Sequence, residues 1–167
     1  NNRMEYSVIA LFKKGENLDR LKEIAKAAVE EKWGKDQAKW PKNLRSPFRD
    51  QKEKAKEIDG KTVMPDGHEE GAIFMTFKTE AKNGNKPEVY GADGKKTLDT
   101  STVYAGCYCI AVVNAKAYEK AGNCGVNFYL VGIQKRRDGE PLAGKINPES
   151  FFEPVAGAGG SAGSMFD

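Results

Sequence analysis

The chain has 167 residues, of which 39% are hydrophobic and 31% are charged, and its net charge is +3. This balance is typical of one globular domain with a single sizeable core and a wet surface. The sequence contains no apolar run long enough to cross a bilayer and no signal-peptide pattern at its N-terminus, so we expect an intracellular protein without a membrane segment.

The N-terminal region predicts a strand followed by the clearest helix of the chain. Residues 4–12 form an apolar, β-rich run. Between residues 16 and 32, apolar side chains recur at i, i+3 and i+4, which gives a helix with one apolar face. Asn17 is the expected N-cap, and Gly34 is the expected end. We expect this helix to pack on a β-sheet and to plug one end of it.

A basic segment follows the helix. Residues 32–56 contain nine Lys and Arg residues against three Asp and Glu residues, which gives a net charge of +6. Three aromatic residues lie among these charges: Trp33, Trp40 and Phe48. Prolines exclude a long helix before residue 51, and residues 51–58 predict a short charged helix. A solvated loop is the alternative interpretation, but the interleaved rings favour a binding role.

Two further strands are predicted between turn signals. The first covers residues 72–80. Its alternation gives two faces, with Ile73, Met75, Phe77 and Thr79 on one and Phe74, Thr76 and Lys78 on the other. The second is a short strand at residues 87–90, between Gly-containing turns at residues 83–85 and 92–94.

The most informative part of the sequence is a long β-hairpin. Its strands are predicted at residues 104–118 and 125–142, with a turn region at residues 119–125. Aromatic and cationic residues are interleaved along it, and its second strand ends in a basic cluster at residues 135–137. This combination suits a nucleic-acid strand, because bases stack on rings and phosphates pair with cations.

The order of the elements predicts a mainly β fold. Five or six strands with one main helix inserted after the first favour a small, closed or nearly closed barrel. Residues 156–164 contain only Ala, Gly and Ser. We therefore expect a domain over residues 1–155 and a flexible C-terminal tail over residues 156–167.

The sequence offers no recognisable catalytic, metal or cofactor site. Residues 139–145 match the spacing Gly-x-x-x-x-Gly-Lys, but Ile146 follows where a phosphate-binding loop has Ser or Thr. Residues 159–163 match Gly-x-Ser-x-Gly, but they lie within the Ala, Gly and Ser stretch, with no predicted strand before them and no predicted helix after them, so they do not predict a nucleophile motif. We interpret Cys107, Cys109 and Cys124 as small buried residues in a reducing compartment, and His68 as an exposed residue of a polar turn. A zinc site would need four ligands at recognisable spacing. We therefore expect a binding protein rather than an enzyme.

Five segments carry a resemblance to a known family. In chain order they are Asn43-Leu-Arg-Ser-Pro-Phe-Arg-Asp50, Gly71-Ala-Ile-Phe-Met-Thr-Phe-Lys78, Lys86-Pro-Glu-Val-Tyr90 with Asp93-Gly94, Val103-Tyr-Ala-Gly-Cys-Tyr108 and Val131-Gly-Ile-Gln-Lys-Arg-Arg-Asp-Gly-Glu-Pro-Leu142. Over residues 4–145 the chain resembles a family of tailed-phage single-stranded-DNA-binding proteins, which are related in fold to the replication single-strand binders of T-odd phages.

The resemblance implies a fold, an activity and a location. The fold is an OB-fold, a five-stranded Greek-key barrel with a helix inserted between strands. The activity is sequence-tolerant binding of single-stranded DNA (ssDNA) during phage replication, recombination and repair, in the cytoplasm of the infected bacterial host. Such binders often end in an acidic tail that recruits replication proteins, so phage or host replication proteins are expected partners of the C-terminal tail. The last four residues here, 164–167, contain one acidic residue, Asp167.

The residues expected to contact DNA are cations that follow the backbone and rings that stack on bases. The cations are Arg45, Arg49, Lys78, Lys135 and Arg137, and the rings are Trp40, Phe48, Phe77 and Tyr108. Lys135 and Arg137 are expected to share one face of their strand, with Arg136 on the other. Core packing is the alternative role of each ring, since most strand aromatics of a small barrel point inward.

Two alternatives to an ssDNA-binding protein remain open. A protein–protein interaction module of a phage replisome or virion would use the basic segment to meet an acidic partner. A nuclease or other DNA-modifying enzyme is the least favoured alternative. The sequence is also compatible with weak binding of double-stranded DNA through charge alone, either by an ssDNA-binding protein or by a DNA-modifying enzyme.

Overall fold

The computed structural model describes residues 4–142, which contain ten β-strands and one α-helix. The expected tail over residues 156–167 lies outside the described residues. In chain order the elements are β1 (Glu5–Leu11), α1 (Asp19–Trp33), β2 (Leu44–Arg45), β3 (Arg49–Asp50), β4 (Lys56–Ile58), β5 (Lys61–Val63), β6 (Ile73–Glu80), β7 (Glu88–Tyr90), β8 (Lys96–Thr97), β9 (Tyr108–Lys120) and β10 (Asn123–Arg137). Short 3-10 turns lie at Gln37–Lys39, Gln51–Lys54 and Thr100–Thr102.

Strand β10 is the centre of the main sheet. Along one edge it pairs with β9 in an antiparallel hairpin, and along the other it pairs in turn with β2, β6 and β7. Strand β6 pairs in addition with β1 and β3, and β8 extends the sheet beyond β7. The sheet curls into a half-barrel. The mainly β fold with one helix after the first strand is confirmed.

Helix α1 covers one face of the curled sheet. Its buried side chains, Ala25, Ala28 and Val29, pack in one cluster with Met75 and Phe128 of the sheet. The cluster forms because the apolar stripe of the helix meets the apolar face of β6 and β10. No helix that the structure describes is long and apolar enough to cross a membrane.

The helix begins later than the sequence pattern predicts and ends where it predicts. Its first residue is Asp19, whose N–H donates to Asn17 Oδ1 at 2.8 Å, and Leu18 occupies the N-cap position. Gly34 ends the helix with φ 85°, and its N–H donates to the Glu30 carbonyl at 2.8 Å. That backbone conformation is one that glycine adopts without strain, which explains why the helix ends there.

The long hairpin has a tighter turn than the sequence indicates. Ala121 and Gly122 connect β9 to β10, with φ of 50° and 76°. Two central residues with positive φ match the turn type whose twist suits a two-residue hairpin connection. Much of the predicted turn region at residues 119–125 is therefore strand.

The prediction of a short helix over residues 51–58 is wrong beyond residue 54. Only Gln51–Lys54 forms a 3-10 turn, and Lys56–Ile58 is strand β4, paired with β5. Asp59 and Gly60 connect the two strands with φ of 51° and 73°. An Asp-Gly pair in this conformation is a strong hairpin signal, and it outweighs the helical propensity of the charged residues before it. Small strands of this kind raise the strand count of the described residues above the predicted five or six.

The buried side chain of Gln51 attaches the basic segment to the sheet. Its amide donates to the carbonyl oxygens of Phe12 and Ile73 at 2.9 Å each, and its carbonyl accepts from the Glu69 N–H at 2.7 Å. Gln51 is 1% exposed. A buried amide that satisfies three backbone groups fixes its surroundings, so the 3-10 turn and strand β3 before it are held against β6.

The cysteines and His68 differ in part from expectation. Cys124 is buried as expected, whereas Cys107 and Cys109 are half-buried, with their sulfur atoms 3.4 Å apart. Burial, together with the hydrogen bond to Cys107, raises the pKa of Cys109 to about 12, so this group is a thiol at neutral pH. His68 is half-buried rather than exposed.

Candidate nucleic-acid interface

The strand register sorts the sheet residues onto two faces, because side chains of directly paired residues project to the same side. The helix face carries the core residues Met75, Phe77 and Phe128 and packs on α1. We call the opposite side the open face. Its members are Arg45, Arg49, Lys78, Tyr108, Ile110, Val112, Asn114, Lys116, Tyr129 and Arg137.

Neighbouring strands bring the cations of the open face together from distant parts of the sequence. Lys78 on β6 is paired with Tyr129 on β10, which is paired in turn with Asn114 on β9. In the same way Arg45 on β2 is paired with Gly125 on β10. Strand β10 therefore links the basic segment, β6 and the long hairpin in one surface.

Tyr108 and Arg137 form a stacked pair at one end of the open face. The guanidinium carbon of Arg137 lies 3.6 Å from the centre of the Tyr108 ring, and Lys13 Nζ lies 5.7 Å from it. Tyr108 is 40% exposed. A planar cation stacked on a ring is pre-ordered, so this end of the face presents a π-surface and a positive charge side by side.

The backbone beside Tyr108 is held by contacts between two of the five segments that carry the family resemblance, residues 103–108 and 131–142. Gly106 has φ 109°, and a Cβ there would collide with the carbonyl oxygen of Glu140. A Cβ on Gly139 would collide with the carbonyl oxygen of Gly106 in the same way. The Leu142 N–H donates to the Ala105 carbonyl at 2.9 Å. Both glycines are thus required because two backbone segments pass in direct contact.

Tyr104 and Lys135 tie the same two segments together from the other side. The Tyr104 hydroxyl donates to Asp138 Oδ1 at 2.8 Å, and Lys135 Nζ pairs with that carboxylate at 2.6 Å. The hydrogen bond to Asp138 raises the pKa of both groups. The side chain of Lys135 is only 17% exposed and lies over the Tyr104 ring at 5.3 Å. Lys135 therefore stabilises the contact between the two segments and is not exposed as a cation for DNA.

The middle of the open face is apolar although it is exposed. Ile110, Val112 and Val131 are 52%, 59% and 44% exposed, and Tyr129 is 37% exposed. Val131 is the extra, unpaired residue of a β-bulge between Leu130 and Gly132, and it lies on the open face because it lines the same groove as Tyr129 and Asn114. Contiguous exposed apolar surface is a common feature of binding sites, and here the apolar strip lies between cations, which makes it the candidate interface.

Two grooves follow the open face along β9. The larger, about 570 Å³, lies between the hairpin and the loop after β6, and its lining includes Lys82, Lys86, Asn114, Lys116 and Tyr129. The smaller, about 300 Å³, lies between the hairpin and β7, and its lining includes Tyr90, Ile110, Val112 and Gln134. Since Val112 and Asn114 are neighbours on this face, the grooves adjoin and form one track along the hairpin.

The structure brings five of the predicted site residues onto the open face, namely Arg45, Arg49, Lys78, Tyr108 and Arg137. Two of the cations are held by carboxylates. Arg49 Nε donates to Glu53 at 2.9 Å, and Lys78 Nζ pairs with Glu5 at 2.9 Å. Exposed pairs of this kind contribute little stability, so phosphates can replace these carboxylates at small cost.

The other predicted residues lie elsewhere: Trp40, Phe48, Phe77 and Lys135. The Trp40 indole donates to the Gly34 carbonyl at 2.8 Å, and Trp40 packs against the core. Phe48 meets Phe128 edge to face at 6.4 Å. Phe77 is 3% exposed, so its ring offers no face on which a base can stack. We therefore leave Phe77 out of the proposed interface.

The expectation that Lys135 and Arg137 share a face is wrong. Lys135 is paired with Cys109, and Arg137 is paired with Tyr108, the preceding residue of β9. Arg136 between them is the extra residue of a bulge, which reverses the alternation. Arg137 therefore projects to the open face, whereas Lys135 projects to the face of the core.

Sequence reasoning misses the residues along the middle of the track. It does not select Tyr129, Ile110, Val112, Asn114 or Lys116 as contacts for DNA. For the four of these residues that lie on β9, the signal is the alternation over residues 108–117, in which every second residue is exposed. Because both faces of this strand carry apolar residues, the alternation alone does not identify the exposed face.

Comparison with known proteins identifies the family. A family model described as Enterobacter phage Enc34, ssDNA-binding protein, matches residues 1–161. The chain belongs to this family. The resemblance drawn from the sequence is thereby confirmed. No curated protein sequence matches the chain.

Solved structures share the fold. The single-stranded DNA-binding protein from bacteriophage Enc34 has 16% identity and a TM-score of 0.57, over 89% of this chain and 78% of that chain. The same protein in complex with ssDNA gives 17% and 0.58, over 83% and 74%. The single-stranded DNA-binding protein gp2.5 of bacteriophage T7 gives 20% and 0.53, over 87% and 82%. At these identities the likeness establishes the common fold.

Proposed function

We propose that the protein binds ssDNA along the open face, without sequence preference, and coats it during phage DNA replication, recombination and repair. The observation that carries the proposal is the track along β9, where exposed rings and aliphatic side chains are flanked by cations from four parts of the chain. Membership of the Enc34 ssDNA-binding family supports it, and so does the structure of the Enc34 protein in complex with ssDNA.

The rings and aliphatic side chains would hold the bases. One base stacks on the Tyr108–Arg137 pair, and another on Tyr129, with Ile110 and Val112 as apolar contacts between them. Each productive stack contributes on the order of 1–3 kcal/mol. Every base has a π-face, so this mode of binding does not distinguish sequences.

The cations would hold the phosphates. Arg45 and Lys116 carry no ion pair among the described residues, whereas Arg49 and Lys78 exchange their carboxylate partners for phosphate. Each contact releases counterions from the strand, so affinity falls as salt rises. A duplex hides its bases and meets only the cations, which gives it weaker, purely electrostatic binding.

The protein acts by binding and not by catalysis. The role is binding alone, since cations, rings and aliphatic side chains hold a strand and provide no group to cleave it. Binding needs no metal or cofactor, and the protein acts in the cytoplasm of the infected host. Recruitment of replication proteins by residues 156–167 remains a prediction of the family resemblance.

Two double variants, one on the open face and one on helix α1, test the location of the site. Arg45→Ala with Lys116→Ala should weaken binding to an oligo-dT on the order of tenfold, because two phosphate contacts are lost. The matched control is Lys22→Ala with Lys26→Ala, which removes the same charge from exposed positions of α1.

Fluorescence anisotropy with labelled oligo-dT provides the measurement. Equal losses in the two double variants would show that only net charge matters and would contradict the proposed location of the site. A stable complex with an acidic partner and no affinity for any nucleic acid would favour a protein–protein module instead.

A further inference from the structure

The β4–β5 hairpin, which we call the arm, stands apart from the main sheet. Its two strands pair with each other, and neither pairs with another described strand. A two-stranded hairpin on its own is marginally stable in water, so it depends on its attachment or on a partner.

One face of the arm combines cations with exposed aliphatic side chains. Lys56 is paired with Val63, and Ile58 with Lys61, so all four project to the same side, which we call the arm face. Ile58 and Val63 are 53% and 43% exposed. Glu57 and Thr62 project to the opposite side.

The arm face holds uncompensated positive charge. Among residues 4–142, no ion pair engages Lys56 or Lys61. The neighbouring cation Lys52, in contrast, pairs with Glu70 at 2.9 Å. The acidic side chain of β4 lies on the far side of the hairpin, so the arm face is suited to an anionic partner that also offers apolar surface.

The base of the arm adjoins the open face. Lys54 Nζ and the Arg49 guanidinium each lie 5.0 Å from the centre of the Phe74 ring. Phe74 is paired with Arg49, which places both on the open-face side of the sheet. Strand β4 begins at Lys56, two residues beyond Lys54. With three residues a strand, the arm reaches roughly 10 Å from this edge.

We propose that the arm face is a second contact surface for the DNA strand, and that it holds the part of the strand leaving the open face at its Arg49 end. Lys56 and Lys61 pair with phosphates, while Ile58 and Val63 pack on bases and sugars. This inference rests on the proposed function. Two copies of the chain joined through this face would bring four lysines together, which disfavours a second copy as the partner.

The inference predicts a dependence on oligonucleotide length. A strand of about 6 nucleotides can be held by the open face alone, whereas one of about 16 reaches the arm as well. Lys56→Gln with Lys61→Gln should therefore weaken binding of the long oligo-dT on the order of tenfold and lower its salt slope by about 1.4. Binding of the short oligo-dT should change less than twofold.

One control and one further test variant accompany this measurement. Lys22→Gln with Lys26→Gln makes the same charge change on α1 and should leave both lengths near wild-type affinity. Ile58→Ser with Val63→Ser removes the aliphatic part of the arm face and should weaken the long oligo-dT selectively. Circular dichroism and thermal unfolding report whether each variant is folded.

The outcomes separate the arm from the proposed function. The inference about the arm alone would be overturned if the wild-type protein binds oligo-dT and the Lys56/Lys61 variant binds the long oligo-dT equally well. The same conclusion would follow if the variant lost the same affinity for the short and the long oligo-dT. A wild-type protein that binds neither length would overturn the proposed function together with the arm. Conversion of a dimer to a monomer by the Ile58/Val63 variant, with DNA affinity unchanged, would identify the arm face as a self-association surface and also overturn the inference.

Discussion

Tyr108 is a single residue whose surroundings suit its proposed role of stacking on a base. Its ring is held by the Arg137 guanidinium at 3.6 Å, and its backbone is fixed by the close passage of Gly106 and Gly139. An ordered ring loses little conformational entropy when it binds, so more of the stacking energy contributes to affinity.

Replacement of Tyr108 tests this role. Tyr108→Ala should weaken oligo-dT binding by about 1–3 kcal/mol, because the stacking surface is removed. Tyr108→Phe retains the ring and its contact with Arg137, and it should bind within about twofold of wild type. Titration with labelled oligo-dT measures both. An alanine variant with full affinity would show that Tyr108 makes no stacking contact.

At the scale of elements, the connection between the basic segment and the sheet depends on the buried side chain of Gln51. It satisfies three backbone groups, from Phe12, Ile73 and Glu69. The position of Arg49, two residues earlier, follows from this attachment. The open face therefore depends on a residue that is itself buried.

Gln51→Ala should lower the free energy of unfolding by about 2–4 kcal/mol, since buried backbone groups lose their partners. The matched control is Gln37→Ala, at an exposed position of another 3-10 turn, with an expected change below about 0.5 kcal/mol. Urea denaturation followed by circular dichroism gives both values. A loss below about 1 kcal/mol for the buried position would mean that water satisfies these groups in the variant.

Local patterns in the sequence predict the elements better than they predict the faces. The helix end at Gly34, strand β6 and the long hairpin follow from periodicity and turn residues. The orientation of Lys135 does not, because the bulge at Arg136 depends on how β9 and β10 twist together. The same holds for Phe48 and Arg49, since strand alternation sends one to the core and the other to the open face.

At the scale of the whole molecule, the curled sheet separates two tasks. The helix face buries the core, where alternate residues of β9 pack in the cluster with α1. The open face remains available because Ile110 and Val112, on the other side of β9, are exposed among the described residues. Net charge of +3 is small for a nucleic-acid binder. We therefore expect affinity to depend on how the cations are arranged around the apolar strip, and the proposed site rests on that arrangement rather than on the total charge.

A comparison of single-stranded and double-stranded DNA at several salt concentrations tests the central claim most directly. Labelled oligo-dT and a matched duplex are titrated with the full chain. We expect tight binding of the single strand, at least tenfold weaker binding of the duplex, and a slope of about −3 for log K against log salt from about four phosphate contacts. Equal affinity for both forms, or no binding of oligo-dT at low salt, would contradict binding of ssDNA along the open face.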